Sequence, residues 1–215
     1  MHRYFVTGTD TDVGKTRVTA ALALALKNHG VTPTIVKLVQ TGLPPGMPGD
    51  SARAGKLAGV RSVELARFEK AADPWSAALA YGLPEVHARE LVDAIVHIEN
   101  GVVAEGAGGL MVPLNAREQM GNVAVLGGFD TILVIGLKLG CVNHALLTIT
   151  QCQQAHIRLA GAVLVERWGP TEGSYRDDVA RTLQGKVEIL GILPFDEDEA
   201  NSVKTGSQIF GSLFN

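Results

Sequence analysis

Apolar residues in this chain occur in short unbroken runs, separated by longer stretches of mixed polarity. The run at 131–135 shows no polar alternation, which is typical of a strand that is covered on both faces of a sheet. Such runs predict strands at 4–6, 34–36, 102–104, 131–135, 159–165 and 187–193, and the more polar stretch 62–68 is predicted as another short strand.

The stretches between these runs have a helical pattern. Leu91, Ile95 and Ile98 recur at helical spacing on one face of a predicted helix at 85–100. Further helices are predicted at 20–26, 51–58, 74–80, 145–156 and 176–183, with Asp50 as the N-cap of the helix at 51–58. Alternating strands and helices predict an α/β fold with a mostly parallel sheet and helices on both faces. The length of 215 residues fits a single domain, 1–215.

The first thirty residues have the order strand, glycine-containing turn and helix. In a P-loop, backbone N–H groups and a helix N-terminus surround a polyphosphate, the lysine reaches the outer phosphates, and the hydroxyl holds Mg²⁺. Five residues separate Gly8 from Gly14, one more than in the usual pattern, while Lys15 and Thr16 follow as the pattern requires. A cation is unfavourable at a helix N-terminus because the helix dipole is positive there, so Lys15 at this position indicates a compensating anion. The alternative is a chance glycine turn before an N-terminal helix.

Polar side chains also follow several of the other predicted strands. Because the carboxyl ends of parallel strands meet at one edge of a sheet, these residues should gather there. They are Lys37, Thr41, Glu105, Lys138, Asn143 and Glu166. Glu105 precedes three glycines in four residues, which favours a metal–nucleotide site over a plain surface acid. Capping alone would explain Asp50, so its candidacy as a Mg²⁺ ligand is weaker.

Composition narrows the range of functions. A formal net charge of −3 provides no bulk positive charge to attract nucleic acid or anionic lipid. Cys141 and Cys152 have no metal-site spacing, and no Ser/His/Asp or Cys/His grouping supports nucleophilic catalysis. The sequence has no leader pattern and no apolar run long enough for a membrane span, so we expect a cytoplasmic protein with reduced thiols.

Four separated blocks of the sequence resemble the dethiobiotin synthetase family. They are 5–16, 37–42, 105–109 with the following Pro113-Leu114, and 138–144. The family's Thr-Gly-Thr-Asp-Thr-x-Val-Gly-Lys-Thr loop accounts for the extra residue between the two glycines. The resemblance extends over nearly the whole chain.

The resemblance implies an ATP-dependent ligase of biotin biosynthesis. In the implied reaction, one amine of 7,8-diaminopelargonate takes up CO₂ as a carbamate, which attacks the γ-phosphate to give a carbamic–phosphoric anhydride. The second amine then closes the ring and releases phosphate. Positioning and cationic charge are the main demands of phosphoryl transfer, so no activated nucleophile is required.

The resemblance also implies roles for individual residues. Catalysis would rest on Thr11, Lys15 and Lys37. Nucleotide would be bound by Asp12, Val13, Gly14, Lys15, Thr16, Glu105, Gly108 and Glu166. The diamine would be bound by Thr41, Gly106, Ala107, Cys141, Val142 and Asn143. Mg²⁺ would be held by Thr16, Asp50 and Glu105. The segment 138–143 resembles a loop that holds the substrate's tail carboxylate across a dimer interface, which implies a homodimer with shared sites.

The sequence departs from the family pattern at several of these positions. Asp12 replaces a commoner glutamate, Thr41 a serine and Leu38 a proline. Glu166 stands where members that select adenine have asparagine, and an ionised carboxylate can only accept hydrogen bonds. We therefore expect weak discrimination among ATP, CTP and GTP.

Two other classes of P-loop protein share features with this sequence. A partitioning-type or septum-site ATPase would have a second lysine early in the loop, where Thr9 and Asp10 stand. Such proteins often end in a basic amphipathic membrane-binding helix. The tail after Glu199 is short, and its apolar residues Ile209, Phe210, Leu213 and Phe214 lack flanking basic residues. A GTPase would need an Asn-Lys-x-Asp motif near Val165, where Glu166-Arg167-Trp168 stands instead. The sequence therefore favours the ligase.

Overall fold

Seven parallel strands form one sheet in the computed structural model, which describes residues 2–214. The strand order is β3-β2-β4-β1-β5-β6-β7, and every neighbouring pair is parallel. The strands are β1 (Arg3–Gly8), β2 (Thr34–Thr41), β3 (Arg61–Phe68), β4 (Val102–Glu105), β5 (Asp130–Gly136), β6 (Leu159–Val165) and β7 (Ile189–Leu193). The predicted α/β fold with a parallel sheet is confirmed.

The helices connect the strands and cover both faces of the sheet. They are α1 (Lys15–Asn28), α2 (Asp50–Ala58), α3 (Pro74–Tyr81), α4 (Ala88–Ile95), α5 (Met120–Leu126), α6 (Cys141–Gln154), α7 (Tyr175–Leu183) and α8 (Glu199–Ser207), followed by a 3-10 helix, Gln208–Phe214. None of the helices between residues 2 and 214 has the length and apolar character needed to cross a bilayer.

The core lies on the two faces of the sheet because successive strand residues point to opposite sides. In β1, Phe5 packs with residues of α3, α4 and α5, whereas Tyr4 and Val6 pack with α1, α2 and α8. In β5, Leu133 and Ile135 pack against α6 and α7. The central strands are therefore buried on both sides, and polar side chains can reach solvent mainly at the strand ends.

Two predicted helices have different bounds in the structure. The predicted helix at 85–100 is wrong at both ends, since α4 spans only Ala88–Ile95. Asn115 donates to the Val86 carbonyl at 2.8 Å, and the Glu118 carboxylate accepts from the Ala88 amide at 3.3 Å. These contacts from a distant loop hold the preceding segment out of the helix. The helix predicted at 145–156 begins earlier, at Cys141, because Gly140 reverses the chain with φ +92°.

The structure also corrects the start of α2 and the extent of β2. Gly49, not Asp50, is the N-cap of α2, and the Asp50 amide donates to Gln40 Oε1 at 2.9 Å. The Asp50 carboxylate is therefore free of the capping role that the sequence suggested. β2 continues to Thr41 because it pairs with β3 along its length, so Lys37 lies inside the strand and does not follow it.

Candidate functional site

The loop between β1 and α1 has the shape of a phosphate cradle, and its glycines are sterically required. Gly14 has φ +102°, and a Cβ there would lie 2.9 Å from Val165 Cγ1. A Cβ on Gly8 would lie 2.7 Å from Val13 Cγ2 and 2.8 Å from the Asp10 carbonyl oxygen. Any side chain at these two positions would displace the loop. The loop therefore presents backbone groups at the N-terminus of α1, where anions bind.

Lys15 is a buried cation at the start of α1. Its side chain is held by a hydrogen bond from Nζ to the Asp10 carbonyl at 2.8 Å, and the residue is 6% exposed. Burial lowers the pKa of Lys15 to about 8, although attraction to Glu105 opposes this shift. Within residues 2–214 no carboxylate lies within ion-pair distance of this ammonium. A bound anion would compensate both the burial and the helix dipole.

Lys37 lies at the centre of a network of buried charges. Its Nζ is 2.7 Å from Glu105 Oε1 and 2.6 Å from Asp50 Oδ2, and it also donates to the Gly106 carbonyl at 3.3 Å. Burial alone would lower the pKa of Lys37, but attraction to Glu105 and Asp50 outweighs it, and the pKa is raised. Lys37 therefore stays protonated at neutral pH.

The oxygen atoms around Glu105 suit a hard divalent cation. The Thr16 hydroxyl donates to Glu105 Oε1 at 3.1 Å, and Asp50 reaches the same network through Lys37. Glu105 Oε2 is buried and has no hydrogen-bond partner in the described part of the chain. Residues 2–214 contain no cluster of three or more His, Cys, Asp or Glu side chains that could hold a metal alone. Two carboxylates and a hydroxyl are nevertheless a fitting partial set for Mg²⁺, which commonly completes its coordination with water and substrate phosphates.

A cleft of about 590 Å³ opens above these residues at the carboxyl edge of the sheet. Eleven of the predicted site residues line it: Thr11, Asp12, Gly14, Lys15, Thr16, Lys37, Thr41, Asp50, Glu105, Ala107 and Gly108. The turn after β4 comes close to the phosphate loop, since a Cβ on Gly109 would lie 3.0 Å from the Gly8 carbonyl oxygen. The structure thus brings together residues from three of the four blocks, with Asp50 from between two of them.

The other predicted site residues lie away from the surface of this cleft. Val13 is fully buried in the core, and Gly106 is buried with its carbonyl turned to Lys37. Cys141, Val142 and Asn143 form the first turn of α6. The Cys141 thiol is buried and lies 3.5 Å from the Tyr175 hydroxyl. The structure does not bring this first turn of α6 into the cleft of the single chain.

Glu166 follows β6 and connects two loops. Its Oε1 accepts from the Thr171 amide and its Oε2 from the Phe195 amide, both at 3.1 Å. Burial would raise the pKa of Glu166, but these two backbone hydrogen bonds, together with Arg176, lower it. The carboxylate is therefore ionised and joins the loop after β6 to the loop after β7.

Several residues that line the cleft were not identified from the sequence. They are Arg17, Gln40, Arg53, Asp73 and Arg167. Arg167 donates to Asp12 Oδ1 at 2.9 Å, and Lys138 donates to Asp10 Oδ2 at 2.9 Å. Both acids of the phosphate loop are thus paired with cations from the loops after β5 and β6. Arg53 alone could have been identified from the sequence by its spacing. It stands three residues after Asp50, which places both side chains on one face of α2.

The family model and the most similar curated proteins agree on one family for this chain. A family model described as an AAA domain (AAA_26) matches residues 2–202. The chain is 38% identical over 217 residues to the ATP-dependent dethiobiotin synthetase BioD of Rhodococcus jostii, covering 96% of this chain and 90% of the relative. It is 37% identical to the enzyme of the same name from Nitrosospira multiformis, covering 91% and 89% of the two chains. The corresponding Anaeromyxobacter dehalogenans protein is 34% identical, with coverage of 99% and 98%.

Solved structures share the fold at much lower identity. The cell division ATPase MinD of Pyrococcus furiosus superposes with a TM-score of 0.60 at 18% identity, covering 99% of this chain and all of the other. MinD of Pyrococcus horikoshii, solved with Mg-ADP, gives a TM-score of 0.61 at 17% identity and covers 95% and 86% of the two chains. These similarities establish a P-loop NTPase fold, and they do not favour the septum-site alternative over the closer sequence relatives.

Proposed function

Because this chain belongs to the ATP-dependent dethiobiotin synthetase family, and is thus an ATP-dependent ligase of biotin biosynthesis, we propose how its residues divide the reaction. One amine of 7,8-diaminopelargonate takes up CO₂ as a carbamate. A carbamate oxygen attacks the γ-phosphate of ATP, the bond to ADP breaks, and a carbamic–phosphoric anhydride forms. The second amine attacks the carbonyl carbon, and inorganic phosphate leaves as the ring closes.

Two buried lysines from different elements line the same cleft, and this observation supports the proposed division most directly. Lys15 enters from the phosphate loop and Lys37 from the middle of β2. Phosphoryl transfer spreads negative charge over the equatorial oxygens, and preorganised cations stabilise that charge in a site with little water. Lys15 would bind the β- and γ-phosphates, while Lys37 would face the carbamate and the transferred phosphoryl group.

The hydroxyl groups of Thr11 and Thr41 would position the reacting oxygens. Both residues line the cleft, on the phosphate loop and at the end of β2. Oγ1 of Thr11 lies 3.6 Å from the position of a Cβ built on Gly108, so this hydroxyl faces the glycine turn after β4. Hydrogen bonds from these groups would orient phosphate and carbamate without proton transfer. Holding the reactants together removes much of the entropic barrier.

Mg²⁺ would be held by Thr16, Asp50 and Glu105, the oxygen donors described above. When bound, the ion would offset the charge of the β- and γ-phosphates. The residues themselves keep these donors in place, since Lys37 bonds to both carboxylates and Thr16 to Glu105. The unpartnered Oε2 of Glu105 supports this assignment.

The tail carboxylate of the diamine would bind at the N-terminus of α6 of a second subunit. In one chain, Cys141, Val142 and Asn143 lie apart from the cleft, whereas a homodimer could bring the partner's copy of that turn over it. The proposed interface includes Leu139, which is 94% exposed, and Leu147, which is 63% exposed on α6. Exposed leucines around a helix N-terminus suit a surface that becomes covered on association.

The decisive assay supplies 7,8-diaminopelargonate, bicarbonate and MgATP and measures dethiobiotin by mass together with ADP formation. We expect one dethiobiotin for each ADP, and ADP formation should fall to background when the diamine is omitted. A folded sample that binds ADP yet produces no dethiobiotin would rule out the proposed reaction. ADP release that is independent of the diamine would instead favour a nucleotide switch.

A further inference from the structure

Arg53 reaches the cleft from α2 and is held there by one acid. Its Nε donates to Glu199 Oε2 at 2.9 Å, and its Nη2 pairs with Glu199 Oε1. Glu199 lies in the first turn of α8, far from Arg53 in the sequence. The Arg53 side chain is half exposed, and the residue lines the same cleft as Lys15 and Thr16. A half-exposed side chain held in this way is available to a ligand that enters the cleft.

Glu199 is itself fixed by a second arginine. Arg17 Nη2 lies 3.6 Å from Glu199 Oε1, and Arg17 Nη1 donates to the Asp196 carbonyl at 3.1 Å. Arg17 directly follows Thr16 in the first turn of α1. The hydrogen bonds from Arg53 lower the pKa of Glu199, with Arg17 adding to the effect. The acid is therefore ionised and joins the helices α1, α2 and α8 beside the cleft.

The surroundings of Arg53 suit a polyphosphate. Asp50 and Asp12 both attract its positive charge, which places the guanidinium within electrostatic reach of the phosphate loop and of the proposed Mg²⁺ ligand. A planar guanidinium can donate two parallel hydrogen bonds to a phosphate. Binding to Glu199 uses Nε and Nη2, and Nη1 has no partner in the described part of the chain.

We propose that Arg53 binds the phosphates of the nucleotide that are not transferred, and that Glu199, fixed by Arg17, is the positioning residue that holds Arg53 over them. This inference rests on the proposed function only in that the nucleotide is the ligand of the cleft. It adds a third cation to Lys15 and Lys37 and assigns it to the α- and β-phosphates, of which Lys15 would share only the β-phosphate.

Position along the cleft distinguishes Arg53 from the two lysines. Lys37 contacts Asp50 at the start of α2, whereas Arg53 lies about one turn further along the helix. Glu199 and Asp196 belong to the segment after β7, which Glu166 joins to the loop after β6 through Phe195. Arg53 therefore reaches from α2, which packs beside β2 and β3, toward the segment after β7, whereas Lys37 lies inside β2.

The test measures ADP binding by calorimetry in the presence of Mg²⁺ and, separately, the KM for ATP and kcat. We expect Arg53→Gln to raise the Kd for ADP and the KM for ATP about tenfold or more, the size of a lost charged hydrogen bond. The kcat at saturating ATP should change much less. Arg53→Lys should restore part of the affinity, since it keeps the charge and loses the fork. The matched control is Arg89→Gln, because Arg89 is exposed on α4 and does not line the cleft.

The positioning part is tested by a double-mutant cycle. Glu199→Gln should weaken ADP binding less than Arg53→Gln does, and it should add little in the Arg53→Gln background because both changes remove one function. Fully additive effects would overturn the role of Glu199. Wild-type ADP affinity in folded Arg53→Gln would overturn the role of Arg53, as would a loss confined to kcat. Since ADP binding needs no diamine, wild-type protein that binds ADP but makes no dethiobiotin would contradict the proposed reaction and leave this inference intact.

Discussion

Lys37 and Glu105 are register partners on the neighbouring parallel strands β2 and β4, and their side chains form an ion pair of 2.7 Å. Lys37 is 3% exposed and Glu105 is 1% exposed. The sheet itself therefore fixes the separation of the two charges, and no loop has to close to bring them together. Because Asp50 also contacts Lys37, the lysine meets two carboxylates and remains charged where phosphate charge would develop.

Replacing Lys37 should lower both the activity and the stability of the protein, for different reasons. Lys37→Met should lower kcat by about a hundredfold or more if the cation stabilises developing charge. It should also lower the free energy of unfolding by about 3–5 kcal/mol, because Glu105 is left buried without its partner. Dethiobiotin formation and urea denaturation measure the two effects.

The double variant Lys37→Met/Glu105→Gln is the matched control for this experiment. Removing the uncompensated charge should recover much of the lost free energy of unfolding. The double variant controls for stability alone, because Glu105 is itself a proposed Mg²⁺ ligand. An unchanged kcat in the single variant Lys37→Met would remove Lys37 from the chemistry.

Lys15 should make nucleotide binding depend on pH above neutrality. With its pKa lowered to about 8 in the free protein, Lys15 loses its proton as the pH rises through that value. A bound phosphate would favour the charged form, so ADP affinity should fall by up to about tenfold per pH unit above pH 8. Phosphate ionisation contributes little in this range because its second pKa is about 6. Titration of ADP between pH 6.5 and 9.5 measures the slope, and Lys15→Arg, which stays charged, should flatten it.

The same shift of Lys15 predicts the pH dependence of stability in the absence of ligand. Its folded pKa of about 8 lies below the ordinary value of 10.5, so the unfolded chain binds more protons between these two values. The contribution of Lys15 to the free energy of unfolding should therefore rise with pH across this window. At pH 7 Lys15→Met should stabilise the ligand-free protein while removing nucleotide binding. Equal Tm values for the variant and the wild type at pH 7 would contradict this account.

The fold could be predicted largely from the sequence, because the central strands consist of apolar residues that need no distant partner to be recognised. β1, β4, β5 and β6 were placed for this reason. The position of Lys37 inside β2 could not be predicted in this way. A lysine inside a strand is unfavourable by local criteria, and here it is accommodated by Glu105 and Asp50, which approach from elsewhere in the fold.

The candidate site could be predicted in part for a similar reason. Thr41 and Glu105 were expected at the sheet edge and do line the cleft, whereas Lys138, Asn143 and Glu166, expected there for the same reason, do not line it. Arg53 and Glu199 were not identified, because their pairing joins positions 146 residues apart and no local pattern anticipates it. α8 was not predicted because it has few apolar positions. Its N-terminus is nevertheless capped, since Asp198 accepts hydrogen bonds from the Ala200 and Asn201 amides.

Nucleotide selection should be weak because of how Glu166 is used. Both of its oxygens accept from backbone amides, so the carboxylate supports two loops and offers no donor to a base. We expect kcat/KM values for ATP, CTP and GTP within about tenfold of each other, as no complementary donor and acceptor pair enforces a choice. Initial rates with each triphosphate measure this, and a preference for ATP above about a hundredfold would refute it.

A substitution at Glu166 distinguishes support of the loops from reading of the base. Glu166→Gln replaces one accepting oxygen by an amide nitrogen, so one backbone amide loses its partner. The KM values for all three nucleotides should rise together, with a loss of about 1–3 kcal/mol in the free energy of unfolding. A selective gain for one base would show that the side chain contacts the base directly.

Association through α6 should be required for full activity. Asn143 and Leu147 are four residues apart and both exposed, so they share one face of α6. If a partner subunit covers this face, Leu147→Glu should place a charge in an apolar contact and shift the protein toward monomer. Light scattering should give about twice 22.7 kDa for the wild type and a lower mass for the variant.

The catalytic consequence of Leu147→Glu separates a shared site from mere association. Losing the partner's first turn of α6 should raise the KM for the diamine, because its tail carboxylate loses the backbone amides that would bind it. ADP affinity should be unchanged, since the phosphate loop and both lysines belong to one chain. The control is Leu79→Glu, an equally exposed leucine on α3. A monomeric Leu147→Glu variant with an unchanged KM for the diamine would place the whole substrate site in a single subunit.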